Sequence, residues 1–342
     1  MTLCINNQKK GGKWIIYFTQ NWMSNIGNFF IDIGALISLE EAVKLSENEM
    51  LSVIPIGTLN LWSKYIYIQK KASILKPLWR LVRPLFSEQK ISNFMVQSSN
   101  RLNLAEVIKA DYAVFSGWSL TTLHFKTYDK LFEKLMKKKV KIIFYGAGGN
   151  TYSDSEVEYI RDKLRKIKPH LLITRDSIAF EKYNDLAESS FDGLDASFYV
   201  NRLNFLKDIK LDIVPYVLLT FDRVENRETE RRLEKEFREK GINVIKCSHA
   251  PYSKPSEKFV SESPFDYLLL YSQATEVHSD RVHACVVALS FGNKCRLYLR
   301  DIRSTLLSKA CEGDITKELC RPRDISKLMK KQINILSQSL QK

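Results

Sequence analysis

Strand-like and helix-like segments alternate along most of this chain, and that alternation limits its fold more than any other feature. Val140 to Tyr145 has the apolar character of a strand, Ser155 to Lys166 that of a helix, and Leu171 to Thr174 that of the next strand. Such alternation predicts an α/β protein with a mostly parallel, doubly wound sheet. Because ligands bind at the carboxyl ends of parallel strands, the glycine-rich and charged turns there are where we expect a site.

A second series of strands and helices begins with the apolar run Ile213 to Phe221. The chain has 342 residues, a length that favours two domains over one. We place the boundary between Tyr199 and Lys210, which predicts one unit over 1–205 and another over 206–342. The tail Ile325 to Leu340 carries apolar residues at helical spacing, so it can pack back across a domain.

The segment Ser279 to Ala284 places a carboxylate, a guanidinium and an imidazole within a few residues, just before an apolar helix that ends near Gly292. Asp280 is predicted to cap this helix. Free backbone N–H groups and the dipole at a helix N-terminus favour an anion. Arg281 adds a bidentate donor for phosphate or carboxylate, and His283 can exchange a proton near neutral pH.

The chain is strongly basic, with a formal net charge of +14. This balance favours an anionic partner such as nucleic acid, an anionic membrane or a polyanionic substrate, and the alternative is a generally basic surface. Because no nucleic-acid-binding motif is present, we expect no nucleic-acid partner.

The six cysteines form no C-x-x-C pair and have no accompanying histidine cluster. They predict a reducing compartment, with neither a metal site nor a disulfide framework. No apolar run is long enough for a transmembrane helix, and the N-terminal segment lacks the apolar region of a signal peptide. We therefore expect a cytoplasmic protein, either free or peripheral at the inner face of the membrane.

Further polar and glycine-rich segments stand beside the predicted strands. They are Asn25-Ile26-Gly27-Asn28, Ser116-Gly117, Gly146-Ala147-Gly148-Gly149, Thr174-Arg175-Asp176-Ser177 and Asp192-Gly193-Leu194-Asp195.

In order and spacing, these segments and the Arg281/His283 motif resemble the polysaccharide pyruvyl transferase family over roughly Trp14 to Arg303. That family has Asn-x-Gly-Asp near its N-terminus, a glycine-rich turn, a strand ending in Arg-Asp, and an Arg-x-His helix start followed by an apolar run and glycine. Asn28 stands where the family has aspartate, which weakens a charged role at that position.

The resemblance implies two Rossmann-like domains facing each other across a cleft, as in glycosyltransferases of the B type. It also implies phosphoenolpyruvate as the donor and a sugar diol as the acceptor, in a cell-surface glycan or its lipid-linked precursor. The products would be a pyruvate ketal and inorganic phosphate, and no cofactor is expected.

Residues were assigned to roles on this basis. If the domains face each other, Arg175 and Arg281 can clamp one trianion from two sides. The candidates for catalysis are His283, Arg281, Asp176 and Asp280. The candidates for substrate binding are Arg175, Asn25, Gly27, Asn28, Gly117, Gly148, Gly149 and Ser279.

Simpler interpretations of these residues remain open. Asp176 and Asp280 can be helix caps alone, and His283 can be a core histidine. Whether His283 gives or accepts the proton is also open, because a helix N-terminus favours neutral imidazole whereas a bound phosphate favours imidazolium. Asp192 and Asp195 can line the cleft, but an aspartate in a loop is common.

The segment Lys70 to Phe86 mixes basic and apolar residues and suits an anionic membrane surface or glycan, or else a covered loop. Two other functions compete with pyruvyl transfer. One is a nucleotide-sugar glycosyltransferase on the same scaffold, and the other is a non-catalytic protein that binds an anionic glycan. The sequence predicts neither the acceptor sugar nor the oligomeric state.

Overall fold

The computed structural model describes residues 13–20, 25–45, 52–57, 107–213, 215–249, 257–299 and 301–341. The segment 60–100, with the mixed stretch Lys70 to Phe86, lies outside the described residues.

The first sheet has six strands among the described residues, and each pairs with its neighbours in parallel. Its spatial order is β2-β1-β3-β4-β5-β6. The strands are β1 (Trp14–Thr19), β2 (Ser52–Gly57), β3 (Tyr112–Ser116), β4 (Lys141–Ala147), β5 (Leu171–Thr174) and β6 (Ser190–Asp192).

The second sheet has four parallel strands in the order β10-β9-β7-β8, again counted over the described residues. These are β7 (Tyr216–Thr220), β8 (Asn243–Cys247), β9 (Glu276–Ser279) and β10 (Lys294–Leu297). The prediction of an α/β fold with two Rossmann-like sheets is confirmed.

Helices cover both sheets. In chain order they are α1 (Ile26–Leu45), α2 (Thr122–Lys137), α3 (Asp154–Ile167), α4 (Ser177–Tyr183), α5 (Arg227–Glu239), α6 (Pro264–Gln273), α7 (Val282–Ser290) and α8 (Ser326–Gln341). A 3₁₀ helix, Ala196–Arg202, follows β6.

Alternate residues of β1 and β7 enter different cores, which is why these two strands have continuous apolar runs. Ile15 of β1 and Leu218 of β7 belong to one core that lies between the two sheets. Ile16 of β1 faces a second core under α2 and α3, and Val217 of β7 faces a third under α5.

Two elements differ from their predicted limits. The helix predicted from Thr127 begins at Thr122, because the Thr121 hydroxyl accepts the His124 backbone N–H and caps it earlier. The strand β6 was not predicted, since three half-buried residues ending in aspartate carry no strand pattern.

Close contacts join distant segments of the chain. A Cβ at Gly34 of α1 would lie 2.0 Å from the Ala196 carbonyl oxygen, so only glycine permits α1 to pack this closely on the 3₁₀ helix. The helix α8 crosses back to the first sheet, as its amphipathic pattern suggested. Tyr199 of the 3₁₀ helix donates to the Met329 carbonyl at 3.0 Å, and His170, just before β5, lies 2.9 Å from the Ser339 carbonyl. The sequence boundary near 205 stays a prediction.

Candidate active site

The carboxyl ends of strands from both sheets border one cavity of about 110 Å³. Its lining includes residues that follow β5 in the first sheet and β9 in the second. The lining residues are Asn25, Gly27, Gly149, Arg175, Asp176, Arg223, His249, Asp280, Arg281, Val282, His283, Leu299, Arg303 and Leu306.

The turn before α7 is built differently from the prediction. Arg281, not Asp280, is the N-cap residue of α7, so the predicted cap is wrong. The buried Asp280 instead accepts the backbone N–H groups of Asp222 and Arg223, at 3.1 and 2.9 Å. Its carboxylate therefore ties the turn after β9 to the turn after β7, because two free N–H groups there need acceptors.

A carboxylate holds Arg281 in place. The Arg281 Nε lies 2.9 Å from the Asp222 Oδ2, and Asp222 also accepts from the Ser248 hydroxyl at 2.6 Å. The backbone N–H of Arg281 donates to the Ser279 hydroxyl at 2.9 Å, so Ser279 supports the turn without lining the cavity. Because Asp222 engages Nε, the terminal amino groups of the guanidinium are the ones positioned for a ligand.

The facing turn follows β5 and carries Arg175 and Asp176. Asp176 caps α4 by accepting the Ala179 N–H at 2.8 Å, which confirms the capping interpretation. The same carboxylate accepts from the Tyr152 hydroxyl at 2.8 Å, and that hydroxyl accepts the Gly149 N–H at 2.6 Å. Burial, reinforced by the Asp176 charge, raises the pKa of Tyr152, so this hydroxyl stays protonated.

Glycines let backbone approach the charged groups. A Cβ at Gly148 would lie 2.6 Å from the Arg175 Nε and 2.7 Å from an Asp176 oxygen. A Cβ at Gly27 would lie 3.1 Å from the His283 Nδ1. The N-terminal motif thus packs directly on the histidine of the second half, an arrangement that the sequence could only suggest.

Asp195 is the carboxylate that connects the two walls of the cavity. Its Oδ2 lies 3.2 Å from an Arg175 terminal nitrogen and 3.6 Å from the His283 Nε2. Burial alone would raise the pKa of this fully buried group, but His283, Arg175 and Ser197 together hold that pKa well below its usual range. Asp195 is therefore ionised throughout the physiological range.

The histidine itself is placed at the second residue of α7, with its side chain 20% exposed. Within the described part of the chain its Nε2 makes no hydrogen bond, since 3.6 Å exceeds hydrogen-bonding distance. His249 lines the same cavity, and its Nε2 lies 2.8 Å from the Tyr271 hydroxyl. Burial, with the charges of Arg281 and His283, lowers the pKa of His249 well below its ordinary value, so this ring is neutral.

The family model of polysaccharide pyruvyl transferase matches residues 33–298, most of the chain. The chain belongs to the polysaccharide pyruvyl transferase family. It is accordingly a transferase, as predicted. The family match contains both turns that carry Arg175, Arg281 and His283, whereas Asn25, Gly27 and Asn28 precede it.

Solved structures of sugar-nucleotide enzymes have a fold similar to that of this family member. One is MnaA from S. aureus bound to UDP, with 13% identity over 96% of this chain and 88% of that one, and a TM-score of 0.53. Another is the UDP-GlcNAc 2-epimerase of Methanocaldococcus jannaschii, with 14% identity, 95% and 99% coverage and a TM-score of 0.53. These neighbours support the predicted glycosyltransferase-B-like fold. No curated protein matches the sequence.

Most of the residues assigned from the family resemblance meet at the cavity: Asn25, Gly27, Gly149, Arg175, Asp176, Asp280, Arg281 and His283. The others, Asn28, Gly117, Gly148 and Ser279, are not among the lining residues. Gly117 adopts a positive φ of 52° and faces Ile31, and Asn28 accepts from the Asn25 side-chain amide at 3.3 Å. Whether any of these residues binds substrate stays a prediction.

Sequence reasoning missed several lining or supporting residues of this transferase. Arg223 follows β7 and Arg303 follows β10, and the rule that ligands bind at strand ends could have found both. Arg303 is held by Asp301 in a bidentate pair, with two Nε–Oδ distances of 3.1 Å. Asp195 was predicted only as a residue that can line the cleft, and Asp222 and His249 carried no local signal.

Within the described ranges, no helix is long and apolar enough to cross a bilayer. No group of three histidine, cysteine, aspartate or glutamate side chains is placed there to hold a metal ion.

Proposed function

We propose that the chain transfers the enolpyruvyl group of phosphoenolpyruvate onto two hydroxyls of one sugar and releases phosphate. The sugar belongs to a cell-surface glycan or its lipid-linked precursor. The observation that carries this proposal is that Arg175 and Arg281, from the two sheets, line one cavity together with His283.

The donor requires cationic groups on two sides. Phosphoenolpyruvate carries a phosphate and a carboxylate on adjacent positions, and guanidinium groups bind both by paired N–H donors. Arg175 and Arg281 are each held by a carboxylate, Asp195 and Asp222, so their orientation is set before the ligand arrives. Preorganised donors lose less entropy on binding.

The reaction then needs one group that moves a proton. His283 gives a proton to the methylene carbon, and a sugar hydroxyl attacks the adjacent carbon while its own proton returns to the imidazole. Phosphate leaves with its bridging oxygen. The second hydroxyl attacks the same carbon, and its proton leaves with the phosphate. Two hydroxyl protons are thus accounted for, one in the new methyl group and one in the phosphate, and no cofactor is required.

The proton begins on His283 in this proposal, and the buried carboxylate of Asp195 lies 3.6 Å from its Nε2. We place the reaction in the cytoplasm, at the inner face of the membrane when the acceptor is lipid-linked.

The test is phosphate release. Purified protein is incubated with phosphoenolpyruvate and sugars carrying neighbouring hydroxyls, presented free, nucleotide-linked, lipid-linked or polymeric. We expect phosphate release that depends on acceptor, with a product whose mass and acid lability are those of a pyruvate ketal. His283→Asn and Arg281→Ala abolish release, whereas Arg232→Ala, at an exposed position of α5, leaves it unchanged.

The structural neighbours favour one second candidate, a glycosyltransferase that uses a nucleotide sugar, since the S. aureus neighbour is bound to UDP. Turnover only with a nucleotide sugar, and calorimetric binding of UDP without binding of phosphoenolpyruvate, would overturn the pyruvyl transfer proposal. The non-catalytic alternative would instead hold if the parent protein bound anionic glycan without turnover and His283→Asn still bound it.

A further inference from the structure

The loop 192–195 joins β6 to the 3₁₀ helix and brings one carboxylate between the two halves of the site. Asp195, at the end of this loop, is fully buried, and its charged partners Arg175 and His283 belong to other elements of the fold. Its Oδ1 accepts the Ser197 N–H at 2.9 Å and the Ser197 hydroxyl at 2.5 Å. That leaves Oδ2 as the oxygen directed at Arg175 and His283, at 3.2 and 3.6 Å.

Distant parts of the chain fix this loop. Gln332 of α8 accepts the Leu194 N–H at 2.7 Å and donates to the Leu194 carbonyl at 3.3 Å. Gly193 leaves the space for it, because a Cβ there would lie 2.3 Å from the Gln332 Oε1. Lys309 donates to the Gly193 carbonyl at 2.8 Å. The loop that carries Asp195 is therefore held by two side chains from distant parts of the sequence, Lys309 and Gln332.

Apart from two carboxylates, the groups that line the cavity with His283 are positive or neutral. Arg175 and Arg281 line the same cavity, His249 lies close enough to be affected by the imidazole, and α7 points its N-terminus at it. The carboxylates of Asp176 and Asp280, also in the lining, are engaged by Tyr152 and by backbone N–H groups. Asp195 thus supplies the negative charge next to Nε2.

We propose that Asp195 is a positioning residue that orients His283 through Nε2, leaves Nδ1 to face the cavity beside Gly27, and fixes Arg175 with the same oxygen. One carboxylate then sets both the proton donor and a donor-binding guanidinium. The role in proton transfer rests on the proposed function. The 3.6 Å separation shortens to a hydrogen bond when the donor binds, as catalytic hydrogen bonds do on forming the reactive complex.

The experiment compares Asp195→Asn with Asp192→Asn, a matched change in the same loop. Asp192 contacts Lys309 and the Ser177 hydroxyl instead of His283 and Arg175. In Asp195→Asn, kcat for phosphate release falls by about 100-fold or more, and the alkaline limb of its pH profile moves to lower pH. In Asp192→Asn both stay within about twofold of the parent protein. A fall in kcat without movement of the limb would overturn the positioning role.

A measurement without substrate separates this inference from the proposed function. The five histidines are isotopically labelled and their ring signals recorded by NMR at one pH, with His283→Gln identifying one set of signals. The ring nitrogen signals of His283 shift in Asp195→Asn and not in Asp192→Asn. Unshifted signals overturn the pairing even if phosphoenolpyruvate is turned over. Shifted signals with no turnover of phosphoenolpyruvate overturn the proposed function and support the pairing.

Discussion

The two walls of the cavity use the same residue pair in different environments. On the first-sheet wall, Arg175 is paired with Asp195, and their side chains are 8% and 0% exposed. On the second-sheet wall, Arg281 is paired with Asp222, at 29% and 9%. A buried pair is costly to break and rigid, whereas a partly exposed pair is cheap to break and can adjust. The comparison indicates one rigid wall and one adaptable wall.

The sharpest way to break this comparison is to truncate each arginine. Arg175→Ala leaves Asp195 buried without its guanidinium, which costs about 3 kcal/mol or more of unfolding free energy. Arg281→Ala costs about 1 kcal/mol or less, because solvent screens its pair. Both variants lose phosphate release. Urea denaturation and the phosphate assay measure the two effects, and equal losses of stability would contradict the difference between the walls.

Glycine-to-alanine changes, which add a methyl group to each wall, test the same difference in rigidity. Gly148→Ala drives its Cβ into Arg175 and Asp176, so we expect a loss of about 1–3 kcal/mol and a raised KM for phosphoenolpyruvate. Gly27→Ala meets His283 at 3.1 Å, so the ring shifts and kcat falls more than KM changes. Stability curves and steady-state kinetics distinguish them. Identical kinetic signatures would show that the two glycines do not serve separate groups.

The walls also differ in their response to acid. The lowered pKa of His249 means that the unfolded chain binds a proton which the folded chain excludes, so stability falls below about pH 6.5, by up to about 1.4 kcal/mol per pH unit. Burial, with the charge of Arg175, lowers the pKa of His124 to about 4. This histidine therefore adds to the loss of stability between about pH 6.5 and about pH 4. The lowered pKa of Asp195 affects stability only at lower pH. Its stabilising contribution is complete above about pH 3.9 and is lost as the pH falls through the pKa of the folded state.

Chemical denaturation at a series of pH values measures this response. His249→Gln should flatten the profile between about pH 6.5 and 5, while Asp195→Asn should change it only below about pH 4. If stability still falls with the same slope against pH in His249→Gln, another group causes the acid sensitivity.

The smallest expected effects come from the hydroxyls that support each turn. Tyr152→Phe removes the bridge between Gly149 and Asp176, and Ser279→Ala removes the acceptor of the Arg281 N–H. Each should cost about 1 kcal/mol, with Tyr152→Phe the larger because its partners are more buried. Thermal unfolding measures both. A stability change near zero in either variant would mean that water replaces the hydroxyl.

Local signals explain which site residues the sequence could predict. Arg175 and Arg281 each follow a recognisable strand and precede a helix, so the turn rule and the family resemblance both reach them. Asp195 and Asp222 could not be assigned, because an aspartate in a loop has many uses and its partners lie 20 and 59 residues away along the chain. His249 reads as an ordinary histidine until burial and its neighbours set its charge.

The sequence by itself determined the α/β class, the two series of parallel strands, the family, and the basic and histidine residues at strand ends, because these depend on local periodicity and short motifs. Only the tertiary structure decided that Asp280 ties two turns together instead of capping α7, and that Asp195 lies between Arg175 and His283. The physical reason is distance along the chain: α1, the loop 192–195 and α8 come from separate segments, and their packing alone determines which charges share a carboxylate.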